Sequence, residues 1–448
     1  MSSVAAAIRS KQQQYEATII NFINQQSGHI IVLSDDQPFM TMLRRVLLKQ
    51  LNVGNAMTMA PDEAQLLEAI KSRVQDNPGM VVFIELFMQG RNHYYLVRQL
   101  KEDYPGLRVI ILTNAVEKEQ LVLLHESGAD NFVAKPVSIN TIVEKMAFTL
   151  KPQNKFGQLI DMAKAHLARN EPEEALKISR RILEIKPNSA AGYLVRGDAF
   201  RQLNDLETAR ESYEKACEYA ELFIEPLRRL CEMYGEMGDS EGSLKYMERM
   251  DQISPLNVER KVDMGELHLN LGRHLEAQAL FDIAVERIIK ERLNIIISRI
   301  AALYMDKDPL QAEKYLRRGL AAKGNKLSRE DLTIFNQLGI SLRQQGRWQD
   351  AIIEYEKALH IDPGDENHYY NMGMANAEGR KFVEASANMS RALEINRDLS
   401  KLNASIAYNI GVIFVHAGKP KEAMRHLRTA LELNPDLEAA KTMLERLR

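Results

Sequence analysis

The chain has 448 residues, 45% hydrophobic and 27% charged, with 59 basic against 61 acidic side chains and a formal net charge of −2. That balance supports buried cores in several domains and argues against a nucleic-acid partner, which calls for a clustered basic excess. No run of about 18 apolar residues is present, so no membrane span is expected; Met1–Lys11 lacks the apolar core of a secretory signal, and Cys217 and Cys231, without CxxC or histidine partners, read as reduced buried thiols of a cytoplasmic protein.

Residues 1–27 read as one helix. Ile8, Tyr15, Ile19, Phe22 and Ile23 form an amphipathic stripe. One short stripe does not sustain a coiled coil, so folding back onto the rest of the chain is favoured over pairing with a second copy in a homodimer.

Residues 28–150 alternate short apolar runs with helical patterns. The runs are His29–Leu33, Met80–Ile84, Arg108–Leu112 and Asn131–Val133, with a weaker one around Ala56–Met59. Their length and β-branched content suit buried parallel strands, and the alternation predicts an α/β doubly wound domain. Functional side chains in such sheets follow the strand ends. Asp35 and Asp36, Glu85, Thr113 and Lys135 stand there. Asp35, Asp36 and Glu85 together call for a counter-ion, and a hard cation such as Mg²⁺ is the natural one.

The stretches Leu33-Ser34-Asp35-Asp36-Gln37-Pro38, Ile111-Leu112-Thr113 and Ser127-Gly128-Ala129-Asp130-Asn131-Phe132-Val133-Ala134-Lys135-Pro136 resemble the receiver domain of two-component response regulators, with its flavodoxin-like fold. The resemblance implies that Asp35 and Asp36 hold Mg²⁺, that Thr113 and Lys135 face the phosphoryl oxygens, and that Phe132 is the aromatic that moves on activation. Glu85 departs from the family, standing where an acceptor aspartate belongs. The loop Met88-Gln89-Gly90-Arg91-Asn92 also lacks the family's proline. A ~1 Å misplacement can cost about 10²-fold in a transfer reaction, so Glu85 is expected not to accept phosphate. It either mimics the phosphorylated state by reaching Lys135 or Mg²⁺, or forms a plain ion pair.

Residues 156–448 repeat with a period near 34. The unit Leu338-Gly339…Gly346…Ala351…Tyr355…Ala358…Pro363 is followed by Met372-Gly373…Ala385…Met389…Ala392, and then, after four extra residues around Asp398–Ala404, by Ile410-Gly411…Ala423…Leu427…Ala430…Pro435. About eight units share this frame, and Leu437–Arg448 would cap the last. The pattern resembles the tetratricopeptide repeat, an all-α solenoid of helix pairs. Stacked pairs form a groove that binds proteins. Asn336, Arg343, Gln344, Asn367, Tyr370, Met374 and Tyr408 are its candidate lining.

The two resemblances together imply a non-enzymatic bacterial signalling adaptor, an atypical receiver coupled to a protein-binding array. A histidine kinase or another regulator would meet the receiver. The alternative is a phospho-switch using another acidic acceptor. No Ser/His/Asp or Cys/His set and no phosphate loop points to an enzyme. The junction at residues 151–155 is too short for independent tumbling, which predicts a fixed receiver–repeat interface.

Overall fold

A computed structural model describes residues 2–53, 56–74, 79–114, 117–151, 154–288, 292–324 and 327–447, with side chains from Ser10 onward. Ile8 of the expected stripe, and Pro152 and Gln153 of the junction, lie outside these described side chains. The chain forms two compact units, residues 1–257 and 258–448. The division falls within the repeats and not at residue 150, because the α/β domain packs on the first repeats.

The first unit begins with α1 (Ser2–Gln25), β1 (His29–Leu33), α2 (Gln37–Arg45) with a π-helical turn at Val46–Gln50, β2 (Met57–Ala60) and α3 (Glu63–Val74). It continues through β3 (Met80–Glu85), β4 (Phe87–Met88), β5 (Arg91–Asn92), α4 (Tyr94–Asp103), β6 (Arg108–Thr113), α5 (Lys118–Glu126), β7 (Asn131–Ala134) and α6 (Ile139–Leu150). Five strands form a parallel sheet in the order β2-β1-β3-β6-β7. Alternate residues of its strands feed two cores. Ile30, Val32, Phe83 and Ile110 meet Leu43 of α2 and Ile142 and Met146 of α6. Ile31, Val82, Ile84 and Ile111 meet Ile70 of α3, Val97 of α4 and Leu124 of α5. With both faces covered, β1 is apolar from Ile30 to Leu33 and β3 from Met80 to Ile84.

Helix α1 folds back onto the sheet domain. Ile19, Phe22 and Ile23 are buried in the first core, and the Tyr15 and Phe148 rings lie 5.6 Å apart. Each such buried side chain contributes roughly 1.5–3 kcal/mol. The hairpin β4/β5 has no counterpart in the sequence reading. Its turn residues Gln89 and Gly90 have φ of 52° and 76°, as a two-residue turn between antiparallel strands requires.

Three helix pairs complete the first unit: α7 (Lys155–Ala168) with α8 (Pro172–Ile185), α9 (Ala190–Gln202) with α10 (Leu206–Tyr219), and α11 (Ile224–Glu236) with α12 (Ser240–Ile253). The second unit holds five more: α13 (Val258–Asn270) with α14 (His274–Arg287), α15 (Leu293–Met305) with α16 (Pro309–Lys323), α17 (Leu332–Gln344) with α18 (Trp348–Ile361), α19 (Glu366–Glu378) with α20 (Phe382–Ile395), and α21 (Ala404–His416) with α22 (Pro420–Leu433). Helix α23 (Glu438–Glu445) packs on α22, and the extra residues before α21 form a 3₁₀ turn at Leu399–Lys401.

One contact recurs. A Cβ at Gly197, Gly265 or Gly339 would overlap the ring of Tyr213, Phe281 or Tyr355. Close helix crossing therefore demands glycine there. The Tyr355 ring fills the crossing within its own pair and also meets His368 of the next at 5.9 Å.

Candidate functional site

The strand ends bring four side chains together. Asp36 caps α2, its Oδ1 accepting from the Phe39 amide at 3.0 Å. Glu85 ends β3 and is 3% exposed. Ser34, just beyond β1, donates from Oγ to Glu85 Oε2 at 2.9 Å. Lys135 follows β7, its amide donating to the Thr113 carbonyl at 2.9 Å and its peptide bond to Pro136 being cis. The Lys135 ammonium donates to Asp36 Oδ2 at 2.7 Å and to the Glu85 carboxylate at 2.8 Å. Thr113 is buried beside them.

Electrostatics follow this geometry. The hydrogen bond from Lys135, joined by that from the Phe39 amide, holds the Asp36 carboxyl below the usual carboxylate range. Burial pulls the Lys135 ammonium down, but its bonds to Asp36 and Glu85 outweigh that and leave it above its ordinary value. Asp36 and Lys135 are thus both held in their charged forms. Beside it opens a cavity of about 490 Å³ lined by Asp36, Phe39, Met42, Asn114, Lys135 and Pro136.

The carboxylates expected to share a cation do not gather. Asp35 is exposed, and Asp36 and Glu85 meet through the ammonium of Lys135. Among the described residues no three histidine, cysteine or carboxylate side chains form a group that could hold a metal. The Lys135 nitrogen lies between two of the three carboxylates expected to hold Mg²⁺.

Ser34 and His93 were not singled out as site residues. His93 Nδ1 lies 2.7 Å from the Glu85 carbonyl. A carbonyl can only accept, so Nδ1 carries the proton. Nothing in the sequence marked His93, because it follows a hairpin that the sequence did not reveal.

A second feature lies where α5 meets the repeats. Val122 packs against the core of the second and third helix pairs beside Phe223. Asn257 Nδ2 donates to Glu126 Oε1 at 3.0 Å, and Arg228 donates to the Glu126 carbonyl at 3.5 Å, at the C-terminal end of α5. Phe132 is half-buried and lines a cavity of about 830 Å³ at this seam with Leu121, Val122, Phe223, Ile224 and Arg228.

The candidate groove residues divide into two kinds. Several join one helix pair to the next: Asn371 donates to Asn336 at 2.5 Å, Asn409 to the Tyr370 hydroxyl at 2.9 Å, and Arg343 to Glu378 at 2.6 Å. Met374 and Tyr408 pack partly buried against the last cores. Gln344 and Asn367 are exposed. Asn371 and Asn409 were missed, although each stands two residues before a glycine of the repeat frame.

Comparison with known proteins places both halves. A model described as response regulator receiver domain matches residues 30–147, and models described as TPR or tetratricopeptide repeat match 160–221, 339–378 and 404–437. Among curated proteins, the chain is 30% identical over 118 residues to the DNA-binding transcriptional regulator NtrC of Escherichia coli (strain K12), 26% of this chain and 24% of that one. It is 30% identical over 156 residues to the DNA-binding response regulator MtrA of Mycolicibacterium smegmatis, 35% and 58% of the two chains. It thus spans well under two thirds of either relative. Similar solved structures include the Cut9–Hcn1 hetero-tetramer (TM-score 0.34, 16% identity, 64% of this chain and 55% of that) and the C-terminal part of a TPR repeat-containing protein from Cytophaga hutchinsonii (TM-score 0.37, 15% identity, 63% and 98%). The class is a receiver domain followed by tetratricopeptide repeats. The first part of the chain is similar to response regulators over the receiver domain, and the rest to tetratricopeptide-repeat proteins.

Proposed function

We propose that this chain is a non-catalytic signalling adaptor whose receiver pocket is set in one state and whose repeats bind a protein. The carrying observation is the environment of Glu85. Its buried carboxylate already accepts from Ser34 and Lys135, and its extra methylene shifts it from where an aspartate would stand, in a reaction that tolerates little misplacement. A histidine kinase or another regulator is the partner proposed for the receiver, and a protein segment for the repeat groove. The packing of Val122 of α5 on the second and third helix pairs, with Phe132 lining the cavity beside it, supports a direct link between pocket and array.

A second reading keeps a phospho-switch. Asp35 is exposed beside the pocket and is the acidic residue that reading would use. Intact mass after incubation with acetyl phosphate and Mg²⁺, comparing wild type with Glu85→Asp, separates the two. A phosphoryl group gained only by the variant supports the adaptor. One gained by the wild type sinks it.

A further inference from the structure

We infer that the Lys135 ammonium stands permanently in place of a divalent cation, so that this receiver closes its acidic pocket without metal. The inference rests on the reading of Glu85 as a held carboxylate, and carries it to the ion chemistry of the pocket.

The argument is one of occupied directions. Mg²⁺ takes oxygen ligands at about 2.0–2.1 Å in near-octahedral array and keeps several waters. Here Asp36 Oδ2 and Glu85 converge on one nitrogen at 2.7 and 2.8 Å. Asp36 Oδ1 is engaged by the Phe39 amide at 3.0 Å, and Glu85 Oε2 also takes the Ser34 hydroxyl. That hydroxyl in turn accepts from the Asp36 amide at 3.1 Å, so its rotor is fixed. The Phe39 ring closes another side, 6.0 Å from the nitrogen.

A divalent ion bridging the same two carboxylates would lie within a few ångströms of a buried ammonium. Like charges at that distance repel strongly where water is scarce. Expelling the lysine instead would leave the Glu85 carboxylate, 4% exposed, without its cation, a strongly unfavourable change. Asp35, the remaining carboxylate of the expected set, is exposed, and among the described residues it joins no group of three that could hold a metal. The extra methylene of Glu85 is what closes the arrangement, since it carries the carboxylate out to the ammonium.

The test uses the full chain and Mn²⁺ alone, read by loss of the free-ion electron paramagnetic resonance signal. The wild type is expected to leave that signal unchanged. Glu85→Asp, which withdraws the carboxylate from Lys135 while keeping the charge, is expected to take up one Mn²⁺ per chain at least about tenfold more tightly. Adding Asp36→Asn to that variant should abolish the uptake. Lys135→Met makes the same test by removing the ammonium, with Glu85→Asp as the safeguard should that chain fail to fold. Stoichiometric Mn²⁺ uptake by the wild type that Asp36→Asn removes overturns the inference. So does a lack of uptake in every folded variant, because the ammonium would then not be what excludes the ion. Wild type that takes up Mn²⁺ yet no phosphoryl group in the mass experiment overturns this inference alone and leaves the adaptor reading standing.

Discussion

Asn257 donates to Glu126 at 3.0 Å, tying the end of α5 to the turn that closes the third helix pair, 131 residues further along the chain. With Val122 it makes α5 a shared element of receiver and repeats. Asn257→Ala should cost about 1 kcal/mol, and Val122→Asp, which sets a charge against an apolar wall, about 1–3 kcal/mol. Hydrogen exchange of the amides in residues 118–126 is the readout. Unchanged protection in both variants would show that the seam does not stabilise α5.

Lys135 and Glu85 should be strongly coupled. Removing one partner of a buried ion pair costs about 3–5 kcal/mol, mostly from the charge left behind. Lys135→Met is therefore expected to destabilise the receiver by about that amount, and Lys135→Met with Glu85→Gln by less than the two single changes together. Urea denaturation of the four proteins measures the coupling. Strict additivity would mean that the two groups do not sense each other.

The crossing of α17 and α18 offers a local test. Gly339→Ala forces a methyl into the Tyr355 ring, and such overpacking costs roughly 1–3 kcal/mol. The chain has one tryptophan, Trp348 at the start of α18, so fluorescence reports the second unit without interference. An unchanged unfolding midpoint would mean that the pair can relax around the added methyl.

His29 gives a pH signature. Burial first, and the nearby Arg73 second, depress its imidazole from 6.5 to about 4, while a ring nitrogen lies 2.8 Å from Thr58 Oγ1. The unfolded chain then binds the proton more readily than the folded one. Its contribution is fully present above pH 6.5 and is lost as pH falls toward about 4, at up to about 1.4 kcal/mol per pH unit in that window. Thermal melts of wild type and His29→Leu across that window test this. Parallel slopes would assign the pH dependence to other groups.

Much of the fold could be read from residue order. Three strand-forming runs mark β1, β3 and β6 because burial on both faces left them largely apolar, the short fourth run marks the edge strand β7, and the weak run appears as β2 one residue later than expected. The hairpin β4/β5 stayed hidden, since two-residue strands have no periodicity to detect. At the pocket, residue types at strand ends were visible from the sequence, but which charge would lie between which was not. That depends on the reach of Glu85 and Lys135, a matter of ångströms. The seam was invisible for another reason. Val122, Glu126 and Asn257 are ordinary surface types until two segments distant in sequence are laid together.

The first compact unit ends at Asn257, and this bears on how the gene should be cut. A fragment trimmed at the receiver's last helix would lay bare Val122, which packs against the core of the second and third helix pairs, and would open the cavity beside it to water. A fragment running to residue 257 keeps Val122 covered. The natural cassette for expression, domain swapping or fusion to another sensor is therefore the receiver together with its first three helix pairs.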